Sequence, residues 1–159
     1  MSAATTGALG ALAIAAEVAE RQRDGLRRQL QDARSGAQAA GAQLEQLQGY
    51  AGETQNRWGV QANAQRKPEV LFHHMHFMDR LQHAMGLQGS VVADHGRRVA
   101  AAQQALLAAE LRLASLTKLI GKRRSELEQQ QARREQKQTD ERAALQYRAV
   151  QNAPMGQEP

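Results

Sequence analysis

The sequence predicts an all-α protein, a long antiparallel two-helix coiled coil: a helical hairpin whose second helix is the longer. Three observations carry that reading. Met78, Met85, Val92, Val99, Leu106, Leu113, Ile120 and Leu127 recur every seven residues without a break, which is the signature of a coiled-coil seam. The first half of the chain holds a heptad of its own. Ala, Gln, Arg, Leu and Glu dominate, with two Phe, two Tyr, one Trp and three Pro in 159 residues, a composition of long helices rather than of a globule.

The first helix is expected from about Thr6 to about Trp58. Leu9, Ala16, Arg23, Leu30, Ala37, Leu44, Ala51 and Trp58 fall at one seam position, and Leu12, Ala19, Leu26, Ala33, Ala40, Leu47 and Thr54 at the other. The 3-4 spacing runs without a stutter, and Arg23 and Thr54 are its polar members. Gly59 sits where a left-handed helix cap is expected. The turn is placed at about 59–67, short enough to make the two helices antiparallel neighbours.

The second helix is expected to open at Lys67-Pro68-Glu69. Proline suits the first helical turn, where its missing N–H is no loss, and Glu69 suits the positive helix start. Its second seam column is weaker: Leu81, Gln88, His95, Ala102, Ala109 and Leu116. Pairing the columns gives a self-consistent register in which Leu9 faces Leu116, Leu26 faces Val99, Ala40 faces Met85, Leu44 faces Leu81 and Leu47 faces Met78. A register displaced by one heptad also matches small residues to large ones. Each paired arm is roughly 75 Å long at 1.5 Å per residue. The second helix then outruns the first after about Ser125, and the overhang Glu128–Glu141 is polar on every face. Residues 1–151 form one hairpin, with the second helix ending near 150, and 152–159 are expected to be a disordered tail.

A chain of this kind has almost no interior, so no catalytic cleft, cofactor or small-molecule substrate is expected. No phosphate loop, nucleophile–base pair or converging carboxylate pair stands in the sequence. There is no cysteine, so disulfides and thiolate metal sites are excluded and a reducing compartment is allowed. His73 and His76 are spaced to share a metal, but three or four converging ligands are needed. His83 lies two turns away, so the histidines read as structural or solvent-facing, and no metal is expected. The apolar run Gly7–Ala19 contains Glu17 and lacks a basic stretch before it. It is too short to span a bilayer and continues the heptad, so it reads as helix rather than as a targeting or membrane segment.

What remains is surface. The formal charge is +5, mildly basic and mixed in sign. Arg112, Lys118, Lys122, Arg123, Arg124, Arg133 and Arg134 outnumber Glu126 and Glu128 in the stretch they share; they form either a solvated face or a docking site for an acidic partner. Nucleic acid is not expected, because no aromatic residue between Phe77 and Tyr147 is available to stack on a base. Tyr50 and Phe77 lie off the seam, on the same flank of an antiparallel pair, at similar distances from the turn. With Leu47, Leu81 and Ala84, they predict an exposed patch near the hairpin end that binds a partner. A self-assembling structural coiled coil, associating through those flanks, is the alternative.

Leu44-Glu-Gln-Leu47-Gln-Gly-Tyr50, Phe77-Met-Asp-Arg-Leu81-Gln-His-Ala84-Met-Gly-Leu-Gln88 and Arg134-Glu-Gln-Lys137-Gln-Thr-Asp140-Glu-Arg-Ala143 occur in the order and spacing of the flagellar export family FliJ. The chain resembles that family over nearly its whole length; Thr54 stands where many relatives carry a second tyrosine. The resemblance implies a soluble component of the flagellar type III protein export apparatus, similar in fold to the central stalk of rotary ATPases. It implies a cytoplasmic protein, peripherally associated with the inner-membrane apparatus. The expected partners are the ring of the export ATPase FliI and the export gate protein FlhA, with export chaperones as further candidates. By this analogy the N-terminal helix and the basic second helix with its overhang meet the ATPase. Gln43, Leu47, Tyr50, Phe77, Leu81, Ala84 and Gln88 meet the gate. The matching stalk protein of a virulence injectisome shares the architecture.

About ten glycines fall inside the expected helices, and at roughly 0.9 kcal/mol each they weaken the helical state by about 9 kcal/mol. Gly86, Gly89 and Gly96 cluster where the second seam turns polar at Gln88 and His95. Backbone amides in 86–96 should therefore exchange with solvent faster than those of the flanking helix. Uniformly strong protection across that stretch would remove the idea.

Overall fold

The computed structural model describes residues 2–60 and 67–156. They form two helices, α1 (Ser2–Val60, 59 residues) and α2 (Pro68–Asn152, 85 residues), and the described residues hold no strand. Both helices reach beyond their expected ends. α1 runs through Gly59, and no described glycine has a positive φ, so the expected left-handed cap at Gly59 is not used. The helical dihedrals simply continue, with Arg57 in the last turn suiting the negative helix end. Most of the expected turn lies outside the described residues.

α2 starts where the sequence placed it. The Lys67 carbonyl accepts from the amides of Val70 (3.1 Å) and Leu71 (3.3 Å). Lys67 is thus the cap, Pro68 the first helical residue, and Glu69 the acidic residue of the first turn. At the far end the helix stops at Asn152, two residues before Pro154, which cannot continue it. Ala153–Gly156 are exposed and outside the helix; residues 157–159, the end of the expected tail, lie outside the described residues.

The described chain packs as two units, Ala19–Arg112 and a second built from 1–18 with 113–159. In the first, the cross-helix contacts run in opposite directions along the two helices. His74 stacks on Trp58 with ring centroids 3.6 Å apart, Phe77 meets Tyr50, and Gln88 meets Ala40 and Gln43. His95 meets Gly36, and Glu110 pairs with Arg27 at 3.6 Å. α1 descends as α2 ascends, which is an antiparallel hairpin, and α2 is the longer helix.

The seam columns read from sequence are the sheltered residues. All eight members of the Met78–Leu127 column are half-buried, and Leu81, Gln88, His95, Ala102, Ala109 and Leu116 of the second column are buried or half-buried. Ala19, Leu30, Ala40, Ala51 and Leu81 are the most deeply covered, and no described side chain is completely sealed from solvent. Four of those five lie on α1 and three of them are alanines, which let the partner helix approach closely. Arg23 keeps its stem in the seam and folds its guanidinium back on its own helix, onto Asp24 (2.9 Å) and Glu20 (3.7 Å).

The register differs from the first expectation. In that register His95 faces Leu30 and Trp58 faces Lys67; instead His95 lies on Gly36 and Trp58 on His74. Gln88, expected opposite Ala37, donates its amide to the Ala40 carbonyl at 2.9 Å and to Gln43 Oε1 at 3.2 Å. Every contact is displaced the same way, toward the pairing one heptad on. The physical reason is the polar part of the second column. A carbonyl and an amide oxygen satisfy Gln88, and the bare Cα of Gly36 leaves room for an imidazole. Apolar matching alone weighs neither.

In the second unit, α1 supplies Ser2–Val18 and α2 runs from Leu113. Thr5 and Thr6 line a shallow cleft with Arg123, Glu126, Leu127, Gln130, Gln131 and Arg134. Leu127 is the last sheltered side chain of α2; every described residue after it is exposed.

Two outcomes test this packing. A Cβ on Gly36 would sit 3.1 Å from two atoms of the His95 ring, while one on Gly52 meets nothing within 4 Å. Gly52→Ala should therefore stabilise by about 0.9 kcal/mol in urea unfolding, and Gly36→Ala should fall short of it by about 1 kcal/mol. In a His95→Ala background the shortfall should disappear; equal gains at the two glycines with His95 present would refute the keyed contact. Leu81→Ala should destabilise by about 2 kcal/mol or more by the same measurement.

Candidate docking site

Tyr50 is carried on α1 and Phe77 on α2, one on each side of the same flank of the seam. Their rings meet edge to face, centroids 6.1 Å apart and planes at 84°. That geometry places the positive ring edge on the negative ring face, the arrangement aromatic pairs prefer. Tyr50 remains 54% exposed and Phe77 is half-buried, so the ring contact holds an aromatic pair in shape at the surface.

The other residues read into the patch divide by depth. Gln43 is exposed; Leu47, Ala84 and Gln88 are half-buried. Leu81 is buried, at 8% exposure, which corrects the expectation that it stands at the surface. It occupies the second seam column of α2, where its heptad position puts it. Gln88 and Gln43 hydrogen-bond each other across the seam, so the rim of the patch is fixed by the same contact that sets the register.

Sequence reasoning missed the neighbours of Phe77. Val70, Leu71, Phe72 and Met75, in the first turns of α2, are all exposed large apolar residues. The signal is a run, 70–78, of six apolar residues and three histidines with no Asp, Glu, Lys or Arg, which heptad columns do not single out.

The basic stretch behaves as a surface. Arg112, Lys118, Lys122, Arg123, Arg124, Arg133 and Arg134 are all exposed. The ion pairs among the described residues lie elsewhere, at Arg23, Arg27 and Arg97. In the second unit, Arg123 and Arg134 flank Leu127 in the cleft shared with Thr5 and Thr6. No group of three or more His, Asp or Glu side chains able to hold a metal is present among the described residues. No described helix is long and apolar enough to cross a membrane.

No curated protein matches the chain. Among solved structures, a YscO homologue from Chlamydia trachomatis is similar at a TM-score of 0.68 and 17% identity, covering 92% of this chain and 95% of that one. That likeness establishes the shared fold. The family model of the flagellar FliJ protein matches residues 11–152, which takes in both helices, the aromatic pair and the basic stretch. The chain accordingly belongs to the FliJ family, and with it to the proteins associated with type III secretion.

Proposed function

We propose that this chain is a stalk-like coupling component of the flagellar export apparatus, binding the export ATPase at one surface and the export gate at another, with no catalysis of its own. The family match over 11–152 carries the reading. Two surfaces support it. α2 continues past Leu127 to Asn152 with every side chain exposed. The first part of that segment, 128–141, is polar on every face and uncovered, and Leu145, Tyr147 and Val150 beyond it are exposed apolar side chains, so the segment is suited to another protein. Arg123, Arg133, Arg134 and the other cations there complement an acidic lining, and would promote assembly of the ATPase ring around the chain. The Tyr50–Phe77 pair, with Gln43, Leu47, Ala84 and Gln88 around it, would meet the gate protein FlhA. ATP would be hydrolysed by FliI. A cytoplasmic location at the inner face of the export apparatus goes with both contacts.

The fold likeness to a YscO homologue favours one second reading, the equivalent component of a virulence injectisome. The genes flanking this one separate the two systems.

Two measurements test the leading reading. Truncation after Leu127 should leave the seam helical by circular dichroism but abolish stimulation of the cognate ATPase. Full stimulation by the truncated chain would refute the ATPase contact. Tyr50→Ala with Phe77→Ala should keep helicity and impair swimming. Normal motility in that double mutant would refute the gate contact.

A further inference from the structure

Four residues sit off the place their heptad gives them. Leu71 continues the Met78–Leu127 column by one heptad, yet it is 48% exposed. Thr5 and Leu127 share a cleft with Arg123, so one turn inward Leu9 stands level with Arg123, a cation. Gln88 is held by the Ala40 carbonyl and Gln43, which sets Leu44 level with an amide. Gly59 follows the last seam residue of α1 but is helical, with no positive φ. All four have one geometric remedy, which is to slide α1 along α2 by one heptad, about 10 Å at 1.5 Å per residue. Leu9 then comes level with Leu116, Leu44 with Leu81 and Leu71 with Thr54. Trp58 comes level with Lys67, and Gly59 stands where a left-handed cap closes a helix. Elsewhere the change is small, because the columns repeat: Ala33 meets Val92 instead of Val99, and Ala40 meets Met85 instead of Val92. What is lost are the contacts that do not repeat. His74 leaves Trp58, His95 leaves Gly36 for Leu30, and Leu127 loses its cover.

We propose that the hairpin has this second register as a state populated at equilibrium, that His74 on Trp58 and His95 on Gly36 are the latches holding the first register, and that the register governs the Tyr50–Phe77 surface. Tyr50 and Phe77 ride on different helices. The slide carries Tyr50 off Phe77 and sets it level with Val70, so the edge-to-face pair exists in the latched register alone. A partner that grips the aromatic pair thereby holds the latched register, and whatever prises His74 from Trp58 releases it. Interdigitated columns have discrete resting positions rather than a continuum, which makes one heptad the unit of movement. The device needs no change in either helix, only a change in which heptads face each other.

The chain has no cysteine, so introduced pairs are its only thiols. Ala33→Cys is level with Val99→Cys in the latched register and with Val92→Cys in the slid one. A disulfide needs Cα atoms within about 7 Å, less than the heptad step, so each pair reports one register. Ala33→Cys with Met85→Cys, a further heptad away, measures cross-linking through transient unfolding. The test is the rate of disulfide closure in a glutathione buffer, with each full-length variant helical by circular dichroism when reduced. The Val92 pair should close within the chain at least about tenfold faster than the Met85 pair. Adding Trp58→Ala with His95→Ala should raise that ratio by about tenfold more. A Val92 pair that closes no faster than the Met85 pair, or only between chains, would overturn the second register. A ratio unmoved by removing both latches would overturn their role. Should the Ala33 variants lose helicity, Ala40→Cys gives the same comparison with Val92→Cys for the latched register, Met85→Cys for the slid one and Met78→Cys as the control.

Discussion

Two helices packed against each other have one seam and nothing behind it. Every other property of this chain follows from that constraint. A seam residue is covered from one side by its own helix and from the other by its partner, so half-burial is the rule and even Leu81 keeps some exposure. Hydrophobic stabilisation scales with the area removed from water, and here each residue contributes only part of its surface. Alanines at Ala19, Ala40 and Ala51 respond to this by drawing the helices together. Polar groups at the seam are then close enough to a facing backbone to be satisfied by it, as Gln88 is by the Ala40 carbonyl.

That contact explains why register is the part of the fold the sequence could not state. Heptad columns are a one-dimensional property, and they located both helices and the sheltered face of each, while Pro68 and Glu69 marked the α2 start. The sliding of one column along the other is decided by which small set of contacts is unique. Here those are His95 on Gly36, Gln88 on Ala40 and Gln43, and His74 on Trp58. A glycine in a helix reads as a propensity penalty and gives no hint that an imidazole will lie on it. Apolar pairs recur every seven residues and tolerate displacement by a heptad; the polar keys do not.

The aromatic patch was legible to the same degree. The off-seam positions of Tyr50 and Phe77 follow from counting, and their edge-to-face contact agrees with it. Counting puts Leu81 in the second seam column as well as in the patch, and its 8% exposure makes it a seam residue. Val70, Leu71, Phe72 and Met75 follow no single heptad column and are broken by His73 and His74, so only their exposure in the fold marks them.

The end of the seam at Leu127 has a consequence in helix–coil terms. Starting a helix in water is unfavourable by orders of magnitude, while extending one is nearly neutral per residue. The paired stretch that closes at Leu127 removes the starting cost for everything after it, up to Asn152. That segment is therefore a helix on a template, fraying inward from its free end at submicrosecond rates. Its helical length at any instant is a thermally set distribution rather than a fixed number. Whatever grips it needs to supply only the small propagation free energy of the residues it holds.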